Sequence, residues 1–188
     1  EVRLRAGEVD QVPFNGEPRH TNGRPPRRHL RGIERVPISG VVFESHHLRP
    51  GLPRGTGDAA RASASVLADF DGDAIVYFGD TPLIRAETLA KLFAAREAGA
   101  NVALLAFRSG DPSGYGRVIT DGDHVTKMVE HKDATEAERA VKLCNSGLMA
   151  VRSTDLFGLL ARVTNDNSQG EFYLVDVVNI ANADGRTC

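Results

Sequence analysis

Short apolar runs alternate with amphipathic stretches along residues 55–188. Residues 74–78 and 102–107 are β-prone apolar runs, and the first stops at turn residues, as buried parallel strands do. Between them, residues 86–98 place their larger apolar side chains on one helical face, and Gly99 follows as a helix C-cap. The order strand, helix, strand predicts a βαβ unit.

The remaining pattern predicts a hairpin, further helices and one long strand. Residues 118–120 and 124–129 flank an Asp-Gly pair at 121–122, which is a strong hairpin signal. The helices are expected at residues 59–67, 134–140, 154–163 and 173–183, and an extended segment at 141–151. The pattern as a whole predicts an α/β domain.

The composition changes near residue 55. Residues 1–54 contain seven of the nine prolines, four of the six histidines and no lysine, and they show no sustained period of 3.6 or 2. We therefore expect two parts, an Arg/Pro/His-rich segment of uncertain order at 1–54 and a partial domain at 55–188. The first part is interpreted as a poorly ordered basic tail or as an out-of-frame copy of a normal domain start. A nucleic-acid-binding arm is disfavoured, because no aromatic residues are interleaved with the basic ones.

The bulk properties limit the class of protein. A net charge of -2 argues against a polyanion-binding surface, so we expect no nucleic-acid partner. No apolar run reaches the length of a membrane span, and no secretion signal opens the chain. The two cysteines, Cys144 and Cys188, cannot form a disulfide framework. A cytoplasmic protein without a membrane partner is expected.

Asp80 is the first candidate for chemistry. It follows the carboxyl end of an apolar strand, where open α/β sheets bind their ligands, and Gly79 lets the backbone approach such a ligand closely. A single carboxylate at this place suits Mg²⁺, which takes its other ligands from phosphate and water. The alternative is a solvent-facing aspartate that starts a turn.

Two glycine-containing loops are weaker candidates. Gly55, Thr56 and Gly57 stand at the start of a predicted helix, where free amides bind polar groups of a nucleotide, although the same residues serve as an ordinary helix cap. Gly116 lies in a loop with Gly114. It either presents its backbone to a ligand or is a turn residue.

Glu130 and Asn145 each end or interrupt a predicted strand. Glu130 is interpreted as an exposed edge carboxylate or as a ligand contact. Asn145 lies in an otherwise apolar strand, and a buried amide needs hydrogen-bond partners. Those partners are a ligand or the neighbouring backbone.

Other catalytic arrangements are absent from the sequence. There is no phosphate-binding G-x-x-x-x-G-K-[S/T] loop, no G-x-G-x-x-G after a strand, no G-x-S-x-G and no H-E-x-x-H. The pair His46-His47 has no third metal ligand at a convincing spacing.

Six short motifs occur in a characteristic order. They are GTG at 55–57, YFGDTPLI at 77–84, DPSGYGR at 111–117, VEHKDAT at 129–135, CNSG at 144–147 and NDNSQGEFY at 165–173. In this order they resemble the uridylyltransferase half of the bacterial bifunctional N-acetylglucosamine-1-phosphate uridylyltransferase/glucosamine-1-phosphate acetyltransferase. The resemblance covers about residues 55–186 and implies a Rossmann-like nucleotidyltransferase fold with a mixed, mainly parallel sheet, incomplete at both ends.

The resemblance also implies an activity and a set of site residues. The reaction would be Mg²⁺-dependent transfer from UTP to N-acetylglucosamine-1-phosphate, giving UDP-N-acetylglucosamine for peptidoglycan and lipopolysaccharide synthesis. The implied roles are uracil contacts for Gly55 and Thr56, phosphate contacts for Tyr77, Phe78, Gly79 and Asp80, the catalytic metal on Asp80, and sugar contacts for Gly116, Glu130 and Asn145.

The chain departs from this family in several places. Residues 1–54 contain no match to the family's L-A-A-G-x-G-T-R-M loop and its following lysine, which grip the triphosphate. The chain also stops before the family's second metal ligand and its β-helix domain, so a monomer is expected where the full-length family forms trimers. We expect impaired catalysis. The alternatives are a non-catalytic sugar-nucleotide-binding or interaction module, and a transferase for another sugar-1-phosphate or for dTTP.

Overall fold

A computed structural model of the chain describes residues 40–42, 54–65, 67–78, 81 and 83–188. In this part of the chain, six strands form one sheet with helices on both faces. The strands are β1 Gly40–Val42, β2 Asp73–Val76, β3 Val102–Arg108, β4 Arg117–Asp121, β5 His124–Val129 and β6 Leu143–Arg152. The helices are α1 Thr56–Arg61, α2 Ala86–Glu97, α3 Glu136–Ala140, α4 Ser153–Leu160 and α5 Asp176–Ala183.

Strand β6 lies between the two strands of the predicted βαβ unit. It pairs antiparallel with β2 along one edge and with β3 along the other. Strands β2 and β3 therefore run in the same direction, as a βαβ unit requires, but do not touch each other. Strand β4 also pairs antiparallel with β6, and β5 with β4.

The α/β class and the mixed sheet are confirmed, but the expectation of a mainly parallel sheet needs correction. Strands β1 to β4 share one direction, yet only β1 and β2 are parallel neighbours among the described strands. The reason is that β6 runs in the opposite direction and separates β2 from β3. A local pattern cannot reveal such an insertion, because β6 comes much later in the sequence.

The side chains of β6 supply both faces of the sheet. Met149 and Val151 belong to the larger apolar cluster, which α4 and α5 cover. Leu148 and Ala150 point to the other face and pack with Leu92 of α2. This alternation follows from the two-residue period of a strand, and it makes β6 the centre of the core.

Asparagines of α5 bind the outer strand β5. Asn179 accepts the Met128 N–H through Oδ1 and donates through Nδ2 to the Met128 carbonyl, both at 2.9 Å. Asn182 donates to the Val125 carbonyl at 2.9 Å. These side chains satisfy backbone groups that an edge strand would otherwise leave unpaired.

Most predicted elements are present, with shifted ends. The helix predicted at 59–67 starts earlier, at Thr56, and ends at Arg61. The helix predicted at 173–183 starts only at Asp176, because the preceding carbonyls of Tyr173, Leu174 and Val175 bind the amides three residues ahead. Residues 173–175 thus make the i to i+3 hydrogen bonds of a 3₁₀ turn, and the α-helix begins after them.

Strand β1 lies within the segment predicted as a separate tail. Gly40–Val42 pairs in parallel with β2, so three residues of that segment join the sheet. The boundary between residues 54 and 55 stays a prediction.

Candidate functional site

Gly116 brings two of the predicted sugar-binding residues together. Its carbonyl accepts the Asn145 N–H at 2.9 Å. A Cβ atom built on Gly116 would lie 3.2 Å from Glu130 Oε2, which is closer than most real contacts of that kind. The backbone of Gly116 therefore contacts both Glu130 and Asn145, so these two residues are close enough to bind one ligand.

Asn145 has the backbone partner that the sequence left open. Its Oδ1 accepts the Gly147 N–H at 2.9 Å. Gly147 has a φ of 85°, and a Cβ there would lie 2.4 Å from the ring of Phe78. The contacts thus run continuously from Glu130 through Gly116, Asn145 and Gly147 to Phe78. We call these five residues the sugar-side cluster.

The predicted phosphate-binding residues are divided between the faces of the sheet. Phe78 packs against the larger apolar cluster, whereas Tyr77 packs on the α2 side. The Phe78 carbonyl accepts both the N–H and the Oγ1–H of Thr81, at 3.1 and 2.8 Å. Gly79 and Asp80, including the expected metal ligand, lie outside the described residues, so their predicted roles stay predictions.

Gly55 and Thr56 contact the chain segment around Phe172. A Cβ on Gly55 would lie 2.5 Å from the Phe172 carbonyl oxygen, and Gly55 has a φ of 109°. The Thr56 hydroxyl accepts the Leu174 N–H at 2.9 Å, and the Gly57 N–H donates to the Phe172 carbonyl at 2.7 Å. Packing alone accounts for these residue types, and the nucleotide role of Gly55 and Thr56 stays a prediction.

Acidic side chains surround Glu130. Burial, and then the charges of Asp176, Asp133 and Glu171, raise the pKa of Glu130 above its usual range. Burial also raises the pKa of Asp176. The hydrogen bond from the Ser168 N–H, at 2.9 Å, instead lowers the pKa of Asp133. The ionised form of Glu130 is thus disfavoured by its surroundings, which is a common property of functional carboxylates.

Two residues of the VEHKDAT motif have structural tasks. Asp133 binds the Ser168 N–H and so attaches the loop at 165–173. Thr135 is the N-cap of α3. Its hydroxyl accepts the Glu138 N–H at 3.3 Å, and the Glu138 carboxylate accepts the Thr135 N–H at 2.8 Å. This reciprocal pair is a capping box.

Arg117, Ser146 and Gly147 were not predicted as site residues from the sequence. Arg117 is 1% exposed, and its guanidinium donates to the carbonyls of Tyr115 and Arg139, which fixes the chain on both sides of Gly116. Ser146 and Gly147 form a bulge in β6. A glycine inside a strand pattern is a signal for a bulge, so Gly147 could have been found.

A separate cavity of about 340 Å³ lies at the opposite end of β5 from Glu130. It is lined by His124, Val125, Thr126, Asn182, Arg186, Thr187 and Cys188. None of the predicted site residues contributes to it. Among the described residues, no group of three or more His, Cys, Asp or Glu side chains is arranged to hold a metal ion.

Related sequences cover most of this chain. The bifunctional protein GlmU of Sphingopyxis alaskensis is 61% identical over 137 residues, which are 71% of this chain and 30% of that protein. The GlmU of Novosphingobium aromaticivorans is 57% identical over 138 residues, again 71% and 30%. Most of this chain is thus similar to a part of the GlmU proteins. It spans about 30% of the length of these relatives.

A third GlmU relative reaches further along the chain. The protein of Zymomonas mobilis is 50% identical over 154 residues, which are 80% of this chain and 33% of that protein. Because 80% of the chain is longer than residues 55–188, this match extends into the segment at residues 1–54. No protein-family model matches the chain.

Two enzymes of sugar-nucleotide metabolism are among the solved structures that resemble this chain. A UDP-glucose pyrophosphorylase complexed with UDP-glucose superposes with a TM-score of 0.57 at 13% identity, over 73% of this chain and 53% of that one. A putative glucose-1-phosphate thymidylyltransferase from Bacillus anthracis gives 0.57 at 12% identity, over 73% and 52%. At such low identity the likeness concerns the fold alone, and it confirms the nucleotidyltransferase fold. No helix in the described part of the chain is both long and apolar enough to span a bilayer.

Proposed function

We propose that this chain carries the site for Mg²⁺-dependent uridylyl transfer from UTP to N-acetylglucosamine-1-phosphate, giving UDP-N-acetylglucosamine and pyrophosphate. The observation that carries the proposal is the contact of Gly116 with both Glu130 and Asn145. It places an acceptor and an amide next to one glycine, on a fold shared with UDP-glucose pyrophosphorylase.

The chemistry needs positioning more than it needs a nucleophile from the protein. A phosphate oxygen of the sugar phosphate attacks the α-phosphorus of UTP, and the bond from that phosphorus to the β-phosphate oxygen breaks, so pyrophosphate leaves. The protein holds both substrates in line and stabilises the developing charge. Mg²⁺, when bound, would neutralise the phosphate charge, with Asp80 as its proposed protein ligand.

The other predicted site residues would bind the sugar, the nucleotide and the phosphates. Glu130 and Asn145 would bind the sugar beside Gly116, and Gly55 with Thr56 would contact the nucleotide. Tyr77, Phe78 and Gly79 would border the phosphates. We expect slow turnover, because residues 1–54 contain no match to the Gly-rich triphosphate loop and one such donor is worth about 10²–10³ in rate.

We also propose that the protein acts in the cytoplasm, where its product supplies peptidoglycan and lipopolysaccharide synthesis. This chain by itself is proposed to be a monomer. Its substrates are a nucleoside triphosphate and a sugar phosphate, without nucleic acid or membrane.

The second candidate function is a binding module that holds a sugar nucleotide without turnover. The missing Gly-rich loop favours it, because the sugar-side cluster needs no triphosphate grip to bind a product. A third outcome is turnover with another sugar-1-phosphate or with dTTP.

Pyrophosphate release separates these candidates. The chain is incubated with Mg²⁺, UTP and N-acetylglucosamine-1-phosphate, and in parallel with glucose-1-phosphate or dTTP. We expect release with the first pair, its loss in Asp80→Ala, and its retention in Asp123→Ala, which removes an exposed carboxylate in the β4–β5 turn. Binding of UDP-N-acetylglucosamine without pyrophosphate release would support the binding module. The absence of both binding and release would overturn the proposal.

A further inference from the structure

Strand β6 contains a bulge beside Asn145. On the shared edge, Leu104 pairs with Met149 and Ala106 pairs with Asn145. Between these pairs, β3 has the single residue Leu105, whereas β6 has three, residues 146–148. The regular ladder of hydrogen bonds is therefore interrupted next to a predicted ligand contact, where bulges are common.

Side chains replace the interrupted ladder bonds. Ser146 Oγ donates to the Leu105 carbonyl at 2.7 Å and accepts the Leu148 N–H at 3.3 Å. Asn145 Oδ1 accepts the Gly147 N–H at 2.9 Å. The side chains of Asn145 and Ser146 thus hold the bulge in one conformation through hydrogen bonds to the backbone.

These bonds determine which way the Asn145 amide faces. A backbone N–H can only donate, so the Asn145 atom that meets the Gly147 N–H has to be the oxygen. The Nδ2 group is left with two donor hydrogens and makes no hydrogen bond to any residue that the structure describes. The main-chain N–H of Asn145 is bound to Gly116, so the residue is fixed at both its backbone and its side chain.

Gly147 fixes the bulge against Phe78. Its φ of 85° is a conformation that side-chain-bearing residues rarely adopt. A Cβ there would also lie 2.4 Å from two atoms of the Phe78 ring. The aromatic ring thus packs directly on the Gly147 backbone, and only glycine fits.

We propose that Ser146 and Gly147 are positioning residues that present Asn145 to the substrate as a hydrogen-bond donor. The ligand atom that Asn145 meets is then an acceptor oxygen of the sugar phosphate, while the adjacent Glu130 accepts when it is ionised. This inference rests on the proposed function for the ligand. The orientation of the amide can be tested without a ligand.

Hydrogen exchange of the Gly147 amide tests the orientation alone. We expect slow exchange in the unliganded wild type and in Asn145→Asp, which keeps an acceptor oxygen, and fast exchange in Asn145→Ala. Equal exchange in the wild type and in Asn145→Ala would overturn the positioning, whatever the protein binds.

Binding of two probes tests the donor. Isothermal titration with UDP-N-acetylglucosamine and with UTP separates a sugar contact from a general change of charge or stability. We expect Asn145→Asp to weaken UDP-N-acetylglucosamine binding about tenfold more than UTP binding, as the loss of one hydrogen bond to a polar group predicts. An equal effect on both probes would overturn the donor role. Failure of the wild type to bind either probe would instead overturn the proposed function.

Ser146 offers a matched pair of variants. Ser146→Ala removes the hydroxyl that bridges Leu105 and Leu148, whereas Ser146→Thr retains it. We expect the first to lower the affinity for UDP-N-acetylglucosamine relative to UTP and the second to restore it. A purely structural Ser146 would lower stability without changing that ratio, and this result would overturn its positioning role.

Discussion

Gly116 lies directly against the carboxylate of Glu130. A methyl group on Gly116 would lie 3.2 Å from Glu130 Oε2 and 3.4 Å from the Val129 carbonyl oxygen. Because the Gly116 carbonyl also binds Asn145, the glycine sets the spacing between the two side chains that are proposed to hold the sugar.

Gly116→Ala is expected to weaken sugar-nucleotide binding while leaving the fold intact. The added methyl displaces Glu130 by a few tenths of an ångström. The shifted carboxylate weakens about one hydrogen bond to the sugar, so we expect a loss of about tenfold in UDP-N-acetylglucosamine affinity. Calorimetric titration measures it. Gly110→Ala is the control, because nothing lies within 4 Å of the added methyl, and equal losses in both variants would contradict the role of Gly116.

Glu130→Gln is expected to raise stability and to lower affinity. The fold raises the pKa of Glu130 above its ordinary value of 4.5, chiefly through burial. The protonated Glu130 side chain therefore stabilises the folded wild type fully below pH 4.5. This stabilisation is lost as the pH rises through the raised pKa. Glutamine resembles the protonated form, so its melting temperature should exceed that of the wild type at pH 7 and match it below pH 4.5. A lower melting temperature at pH 7 would contradict this account.

The sequence predicted the local elements better than their arrangement. The β4–β5 hairpin and α2 follow from residues that are close in the chain, such as the Asp-Gly turn and Gly99. The position of β6 between β2 and β3 depends on contacts between distant segments, which periodicity does not record. The contact of Thr56 with Leu174 crosses more than one hundred residues for the same reason.

The sequence predicted several residues of the candidate site but not the groups with which they form hydrogen bonds. The sequence singled out Asn145 because an amide in an apolar strand needs partners, and the structure supplies Gly147 and Gly116. It gave no reason to choose Arg117, since an arginine after a loop usually faces solvent. Only the buried position of Arg117 reveals its contacts with two carbonyls.

Arg117→Met is expected to destabilise the protein strongly. The apolar side chain leaves the carbonyls of Tyr115 and Arg139, whose bonds to Arg117 are partly buried, without these donors, which costs about 1–3 kcal/mol. Urea denaturation measures the change. Arg108→Met, at the exposed end of β3, should stay within about 0.5 kcal/mol of the wild type. Similar values for both variants would show that Arg117 contributes no buried contacts.

Thr135→Ala is expected to destabilise the start of α3. The substitution removes the acceptor of the Glu138 N–H and so breaks the capping box. Loss of an N-cap side chain costs about 1 kcal/mol, and Thr135→Ser should restore most of it. Urea denaturation of the three proteins checks this, and an unchanged midpoint in Thr135→Ala would refute the cap.

Glu138 gives the same cap a dependence on pH. Hydrogen bonds from Lys127, and then from Thr135, lower the pKa of Glu138 from 4.5 to about 2. Its contribution is present above pH 4.5 and is lost as the pH falls towards 2. The stability difference between the wild type and Glu138→Gln should therefore shrink over that interval in acid denaturation. A constant difference would contradict the lowered pKa.

Amide NMR shifts on addition of UDP-N-acetylglucosamine test the proposed site most directly. We expect the largest shifts at Gly116, Glu130, Asn145 and Gly147. Shifts at His124, Asn182 and Arg186, with none at those four residues, would place the ligand in the cavity at the other end of β5 and contradict the proposed site.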